Sequence, residues 1–271
     1  MRAYVTVLDN DVTLLPYFVR HYRRLGADLF PCLGYGSDLN AVCEIVLEAG
    51  GEPLELASFP SDVFSARRRE AFIRTVHPEG EWAFFADLDE FAEVTFDQVQ
   101  QFVGRVPYVA GQWLDRCGLA GKLVEINSLL SLDDQFPCSA RTRQEWRMTA
   151  SVYVLAPFAP CLHHPSSCPI GRKHLRQVPR VTVHHFRWQT NLVRRLRRRL
   201  ERIEALGKHG GPWYRGVERT LRHINDNGGI AENLVSTYRG RQLEVVAASN
   251  SSLSTMQRQS SSLPALHSRK T

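Results

Sequence analysis

"EWAFFADLDEFAEV", Glu81 to Val94, sets the reading of this chain. An apolar run from Trp82 to Ala86 leads straight into Asp87, Asp89 and Glu90. The run predicts a buried strand. In an open parallel sheet, ligands bind beyond the carboxyl ends of the strands, where these acids fall. Along an extended segment Asp87 and Asp89 point to the same side. Two carboxylates on one side repel and are costly to desolvate unless something positive lies between them. A hard divalent cation, Mg²⁺ or Mn²⁺, suits that place because it prefers oxygen ligands. Mg²⁺ keeps few protein carboxylates and completes its shell with substrate phosphates, so the motif suggests a metal–diphosphate site. The plainer alternative is that the acids cap a turn or pair with nearby arginines.

Upstream of this stretch, strand and helix patterns alternate. "AYVTVL" (Ala3–Leu8) has the β-branched content of a strand. Leu14, Leu15, Phe18, Val19, Tyr22 and Leu25 then recur at helical spacing, with Gly26 as the stop. "DLFPCLGYG" predicts a second strand, "DLNAVCEIVLEAG" a second helix and "EPLELAS" a third strand. "SDVFSARRREAFIRTVH" predicts a third helix, capped by Ser61 or Asp62. This order implies a parallel sheet with crossover helices. Downstream the pattern loosens. "KLVEINSLLSL", "SVYVLAPFAPCLHH" and "RVTVHHFRW" are expected strands, "NLVRRLRRRLERIEAL" a strongly amphipathic helix and "VERTLRHIND" a shorter one. The Ser-rich residues 247–271 are expected to be a disordered tail.

The 271 residues are enough for one large domain or two small ones, and 43% hydrophobic content is that of a soluble globular protein. No apolar run approaches the roughly 18 residues of a membrane span. The N-terminus reads as a strand rather than an export signal, and the cytoplasm is the expected compartment. Six cysteines include no CxxC pair and are expected as small buried side chains. A net charge of +6 is concentrated in Arg194, Arg195, Arg197, Arg198, Arg199 and Arg202. A polyanion, an anionic membrane surface or a phosphorylated substrate could each use that block.

"AFFADLDEF" resembles the DxD element of GT-A glycosyltransferases, in the form found in the bacterial family-2-like group and its family-92 relatives. "LLPYFVRHYRRLGAD" is similar to that group's first helix, and "GQWLDRCGLAGKL" to its segment after the DxD. "QFP", "HH" at 163–164 and "VTVHHFRW" before an arginine-rich helix follow in the same order. The resemblance spans roughly residues 3 to 230. It implies a GT-A-type α/β fold: a mostly parallel central sheet flanked by helices, with a helical C-terminal part. Residues 1–246 would form the domain, with 1–110 as the donor-nucleotide half and 111–246 as the acceptor half. The implied activity is transfer of a sugar from a nucleotide-sugar donor to a glycan, lipid or protein acceptor, in bacterial surface glycan or glycolipid assembly. Two departures stand out: Asp9-Asn10-Asp11 replaces an Asn-Glu after the first strand, and Gly118-Leu119-Ala120-Gly121 replaces an Asp-Gly pair.

The resemblance also implies site residues. Asp9, Arg67, Arg68 and Asp87 fall where the nucleotide or its diphosphate is contacted. Asp87, Asp89 and His185 fall where Mn²⁺ or Mg²⁺ is held, with His164 as the alternative histidine. From the residues alone, His184 and His185 face opposite ways on a strand, one inward and one toward solvent, and either pair of histidines can be structural. An inverting transfer needs a base on the acceptor hydroxyl, for which Asp115 and, second, Glu145 are the candidates. The plainer role for Asp115 is a salt bridge with Arg116 or another arginine. The arginine helix is expected to expose its basic face, either as a solvated surface or as a peripheral contact with anionic membrane. Two rival classes remain. A nucleic-acid binder would use the same helix, but no recognised module is present and no aromatics interleave with the arginines, so no nucleic acid is expected. A metal-dependent phosphohydrolase would need more acidic ligands than the sequence shows.

Overall fold

The computed structural model describes residues 1–140, 151–157, 178–243 and 245–247. Glu145, His163, His164, Cys161, Cys168 and the expected tail from residue 248 on lie outside them. The chain opens with β1 (Arg2–Ala3) and β2 (Val5–Leu8). They run in one register along β3 (Leu29–Tyr35), Arg2 opposite Leu29 and Val5 opposite Cys32. Between them and β3 lies α1 (Leu15–Arg24), whose buried Leu15, Phe18, Val19 and Tyr22 form one stripe. α2 (Leu39–Glu48) follows, with Asp38 accepting from the Asn40 N–H as its cap. Next come β4 (Glu52–Phe59), α3 (Ala66–Val76) and β5 (Ala83–Phe84). β4, β3, β1 with β2, and β5 lie side by side in that order, all parallel. Each parallel neighbour needs a crossover, and the helices supply it.

The second half is mixed. It comprises β6 (Glu90–Ala92), α4 (Phe96–Phe102), β7 (Val109–Cys117), α5 (Leu132–Gln135) and β8 (Cys138–Ala140). β9 (Ser151–Ala156), β10 (Arg180–His185), α6 (Leu192–Ala205), α7 (Pro212–Asn227) and β11 (Val235–Thr237) complete it. β9 runs antiparallel between β5 and β7. β10 lies parallel to β7 and antiparallel to β6. β8 extends the sheet from β7, and β11 extends it from β8, both antiparallel. The sheet thus continues through β7 across the expected boundary at residue 110. Val5 and Val7 pack with α1 and α2, whereas Tyr4 and Phe85 pack with Ile73 of α3. α6 and α7 cover Cys117, Cys138 and Trp188. This is the α/β architecture the alternation predicts, a parallel-rich central sheet flanked by helices with a helical C-terminal part.

Several local expectations change. "WAFFADLDEF" is not one strand: β5 ends at Phe84 and the chain turns at Leu88–Asp89, with the Glu90 N–H donating to the Asp87 carbonyl at 2.9 Å. Ser65, not Ser61 or Asp62, caps α3, accepting from the Arg68 N–H at 3.1 Å. Residues 122–132 form no strand; they make isolated bridges, Lys122 with Gly229 and Val124 with Gln189, and pack Val124, Ile126 and Leu132 against the core. α7 outlasts its expected length and stops at Gly228 (φ 69°). Residues 243 and 245–247 form a docked strap. Leu243, Val245 and Ala247 are buried, and the Leu243 N–H donates to Asp133. Cys32, Cys43, Cys117 and Cys138 are free thiols, and all but the half-buried Cys43 are buried. No described helix is long and apolar enough to cross a membrane.

Candidate functional site

The chain steps outward from β1/β2 through β3 to β4, then returns to the opposite side of β1 with β5. Strand order therefore reverses between β2 and β5, and a crevice at such a switch point is where ligands bind. Here the segment after β2 (Asp9–Asp11) comes close to the segment after β5 (Asp87–Asp89), both within reach of α6 arginines. An open cleft of about 500 Å³ is lined by Asp9, Asn10, Gly36, Ser61, Arg198 and Arg202, among others.

Asp9 and Asn10 both adopt left-handed backbone, φ 54° and 56°. Such a conformation is uncommon outside glycine and persists where its surroundings over-determine it. The surroundings are visible: the Asp9 N–H donates to the Tyr35 carbonyl, the Asn10 N–H to Ser37 Oγ, and Asn10 Oδ1 accepts from the Asp38 N–H. The result aims Asp9 at α6, where it pairs with Arg198 at 3.7 Å and with Arg202. Arg195 bridges Asp11 at 3.4 Å and Asp89 at 3.3 Å. Burial works against the Arg195 charge, yet Asp89 and Asp11 outweigh it and hold its pKa above the ordinary value.

The turn at Leu88 gives the two aspartates different partners. Asp87 Oδ1 accepts from Arg69 Nη1 at 2.5 Å. Asp89 lies beside Arg195 and 3.8 Å from His185 Nε2. The expected same-side pair on an extended strand is thus replaced by a divergent one. Glu90 is buried beside them, and its carboxylate accepts from the Asp87 N–H at 3.0 Å. Burial first, and then the Asp87 and Asp89 charges, raise its pKa well above the usual carboxylate range.

β7 and β10 run parallel with Asp115 opposite His185. Their side chains meet: His185 Nδ1 lies 2.8 Å from Asp115 Oδ1. Trp113 stacks on the imidazole at 5.4 Å between centroids. An Nδ1–H donated to Asp115 fixes the tautomer that leaves Nε2, facing Asp89, as a donor atom for a metal. Asp115, the candidate acceptor base, is thus engaged with His185. His184 projects from the other face of β10 but does not meet solvent. It is fully buried between Arg116 Nη1 (2.8 Å) and Glu93 (3.3 Å).

Fit to a divalent cation rests on these donors. Among the described residues no three His, Cys, Asp or Glu side chains converge on one point. Two do face each other, Asp89 Oδ1 and His185 Nε2. Mg²⁺ is commonly held by one or two carboxylates, with substrate phosphates and water completing its shell. An oxygen and an imidazole suit Mn²⁺ equally. The residues present fit such an ion at Asp89 and His185, with Asp87 set apart on Arg69.

The arginines differ most from expectation. Arg67 and Arg68 are exposed, whereas Arg69 is 4% exposed and reaches Asp87. The signal was present: Arg69 stands four residues before the buried Ile73 and seven before Val76, on the inward face of α3. Likewise Arg195, Arg198 and Arg202 flank the apolar stripe of α6 and reach the acids, so the expected exposed basic face is reduced on that side.

No protein-family model matches this chain, and no curated protein matches it. Solved structures give low-scoring overlaps. The "Putative Glucose-1-Phosphate Thymidylyltransferase from Bacillus anthracis" in complex with a sucrose is 10% identical, over 77% of this chain and 96% of that one, at TM-score 0.39. The inositol-1-phosphate CTP transferase from T. maritima is 8% identical, over 68% and 89%, at 0.33. The galactosyltransferase LgtC in complex with donor and acceptor sugar analogues is 15% identical, over 44% and 46%, at 0.26. At TM-scores this low, what the chain does rests on its own residues.

Proposed function

We propose that this chain is a metal-dependent glycosyltransferase of GT-A type, moving a sugar from a nucleotide-sugar donor to a glycan, lipid or protein acceptor. The observation that carries the reading is the meeting of Asp89, which follows β5 at the switch point, with His185 and Asp115 of β10 and β7. Asp89 and His185 would hold Mn²⁺ or Mg²⁺, and Asp115 holds the imidazole in the tautomer this requires. When bound, such an ion supplies positive charge to a departing diphosphate. The chain's own part is orientation. The strained Asp9–Asn10 turn forms one wall of the cleft, Arg69 fixes Asp87, and Trp113 packs the imidazole in place.

A thermal-shift panel of uridine and guanosine diphosphates and their sugars, with and without Mn²⁺, tests this. We expect one base to raise Tm only when Mn²⁺ is present. A panel without any metal-dependent shift would overturn the reading.

A further inference from the structure

We propose that α6 is the diphosphate-binding wall of the site, and that its arginines exchange partners on binding, so that divalent metal and diphosphate bind as a unit. The inference rests on the nucleotide-sugar reading above and extends it to residues that reading leaves out. Arg195, Arg198 and Arg202 lie on one face of α6, at spacings of three and four. Arg195 pairs with Asp11 and Asp89, and Arg198 and Arg202 with Asp9. Guanidinium forks match phosphate oxygens as well as they match carboxylates.

In the cleft, acids after β2 and β5 face arginines of α3 and α6, with Arg199 of α6 also in the field of Asp87, Arg195 and Arg202. A divalent cation arriving alone at Asp89 competes with Arg195 for one carboxylate, Arg195 holding Oδ2 while Oδ1 faces His185. A diphosphate arriving alone at α6 meets the acids that the arginines now neutralise. Arriving together, the cation takes the carboxylates and the diphosphate takes the guanidiniums, so every charge keeps a partner. Exposure decides which pairs can exchange. The Arg195, Arg198 and Arg202 side chains are 38%, 47% and 22% exposed and can swing outward, while their carboxylates, 10–21% exposed, need a replacement cation when they do. Arg69, at 5%, stays on Asp87. A second observation points to a ligand at this edge. Arg69 Nε and the Tyr35 hydroxyl are buried without a hydrogen-bond partner, and Tyr35 ends β3 one residue before Gly36 of the cleft.

Linkage requires that each ligand raise the affinity of the other by the same factor. The test uses the full chain and two probes: Mn²⁺ alone, read by its EPR signal, and the Mn²⁺–pyrophosphate complex, read by calorimetry. Arg195→Ala should bind Mn²⁺ alone at least threefold more tightly than the parent and bind the complex at least fivefold more weakly. Arg194→Ala, on an exposed position of the same helix, should match the parent in both. Should Arg195→Ala lower Tm sharply, Arg198→Ala carries the complex measurement instead. An unchanged value in either measurement overturns the exchange, while parent binding of the complex keeps the nucleotide-sugar reading standing. A parent that binds neither the complex nor any nucleoside diphosphate removes both.

Discussion

Asp89 is held by Arg195 on one side and faces His185 on the other, and its removal separates binding from folding. In Asp89→Ala, Arg195 keeps Asp11, and Glu90 loses a like charge that helps to raise its pKa. The two effects offset, so Tm should move by no more than about 2–4 °C, the shift of about 1 kcal/mol in a chain of this size. Metal-dependent nucleotide binding should be lost, as the same thermal-shift panel would show. Asp115→Asn tests the positioning role. It should weaken Mn²⁺ binding about 10–100-fold, the usual effect of removing the carboxylate behind a metal-bound histidine. An acceptor base would instead cost turnover and leave Mn²⁺ affinity intact. Arg69→Ala should destabilise by roughly 2 kcal/mol, because it strands Asp87 beside the buried Glu90, whereas Arg67→Ala should fall within about 0.5 kcal/mol. The acids and His185 were legible at this scale because an apolar run ending in carboxylates is a strong local signal. Their orientation is not, because residues 85–89 taken locally look like strand, and the turn at Leu88 sits beside pairing between β6 and β10 that no local window contains.

At the scale of elements, α6 shows how periodicity carries only half of a prediction. Its apolar stripe announces which face packs, yet not what waits beside that face. The acids that meet Arg195, Arg198 and Arg202 lie more than 100 residues upstream. The outward charge left to this helix includes Arg194 and Arg197. Reversing both to Glu should leave nucleotide affinity unchanged and should weaken any salt-sensitive association with anionic vesicles by about 1 kcal/mol per residue. Co-sedimentation across a salt series reads the second effect. The strap is the converse case. Its few apolar residues carry no periodic signal, and the Ser-rich composition that follows predicts a tail from residue 247. Leu243, Val245 and Ala247 nevertheless close the core beside α1 and α5. Truncation from residue 243 should lower Tm well below that of truncation from residue 249, since each buried aliphatic side chain contributes about 1.5–3 kcal/mol.

The whole molecule carries a pH signature. His21, buried against Tyr22 and Phe91, has its pKa pulled down to about 3, first by burial and then by His184. Burial also lowers His184 and His77. A histidine whose folded pKa is depressed binds its proton more readily when unfolded. Its contribution is complete above the unfolded value near 6.5 and is lost as pH falls below it. Glu90 works in the opposite sense, because its raised pKa favours the fold on the acid side. Among the described residues these three histidines, joined at lower pH by Glu93, whose pKa His184 holds down against the effect of burial, outweigh Glu90, so stability should fall as pH drops from about 6.5 toward 4, each histidine contributing up to about 1.4 kcal/mol per pH unit. Urea midpoints across that range measure the slope, and His21→Gln should flatten it. A last consequence follows from the contact between Asp9 and Arg202, which are 193 residues apart. On the ribosome, the parallel strands through Phe84 can pair early, but the arginines that complete the crevice emerge far later. At about 5–20 residues per second, the nascent chain must carry its acidic half-site for roughly 10–40 s before the basic half exists. The crevice therefore closes only after most of the chain has emerged, which makes the joining of its two sides a late step in folding however early the sheet forms.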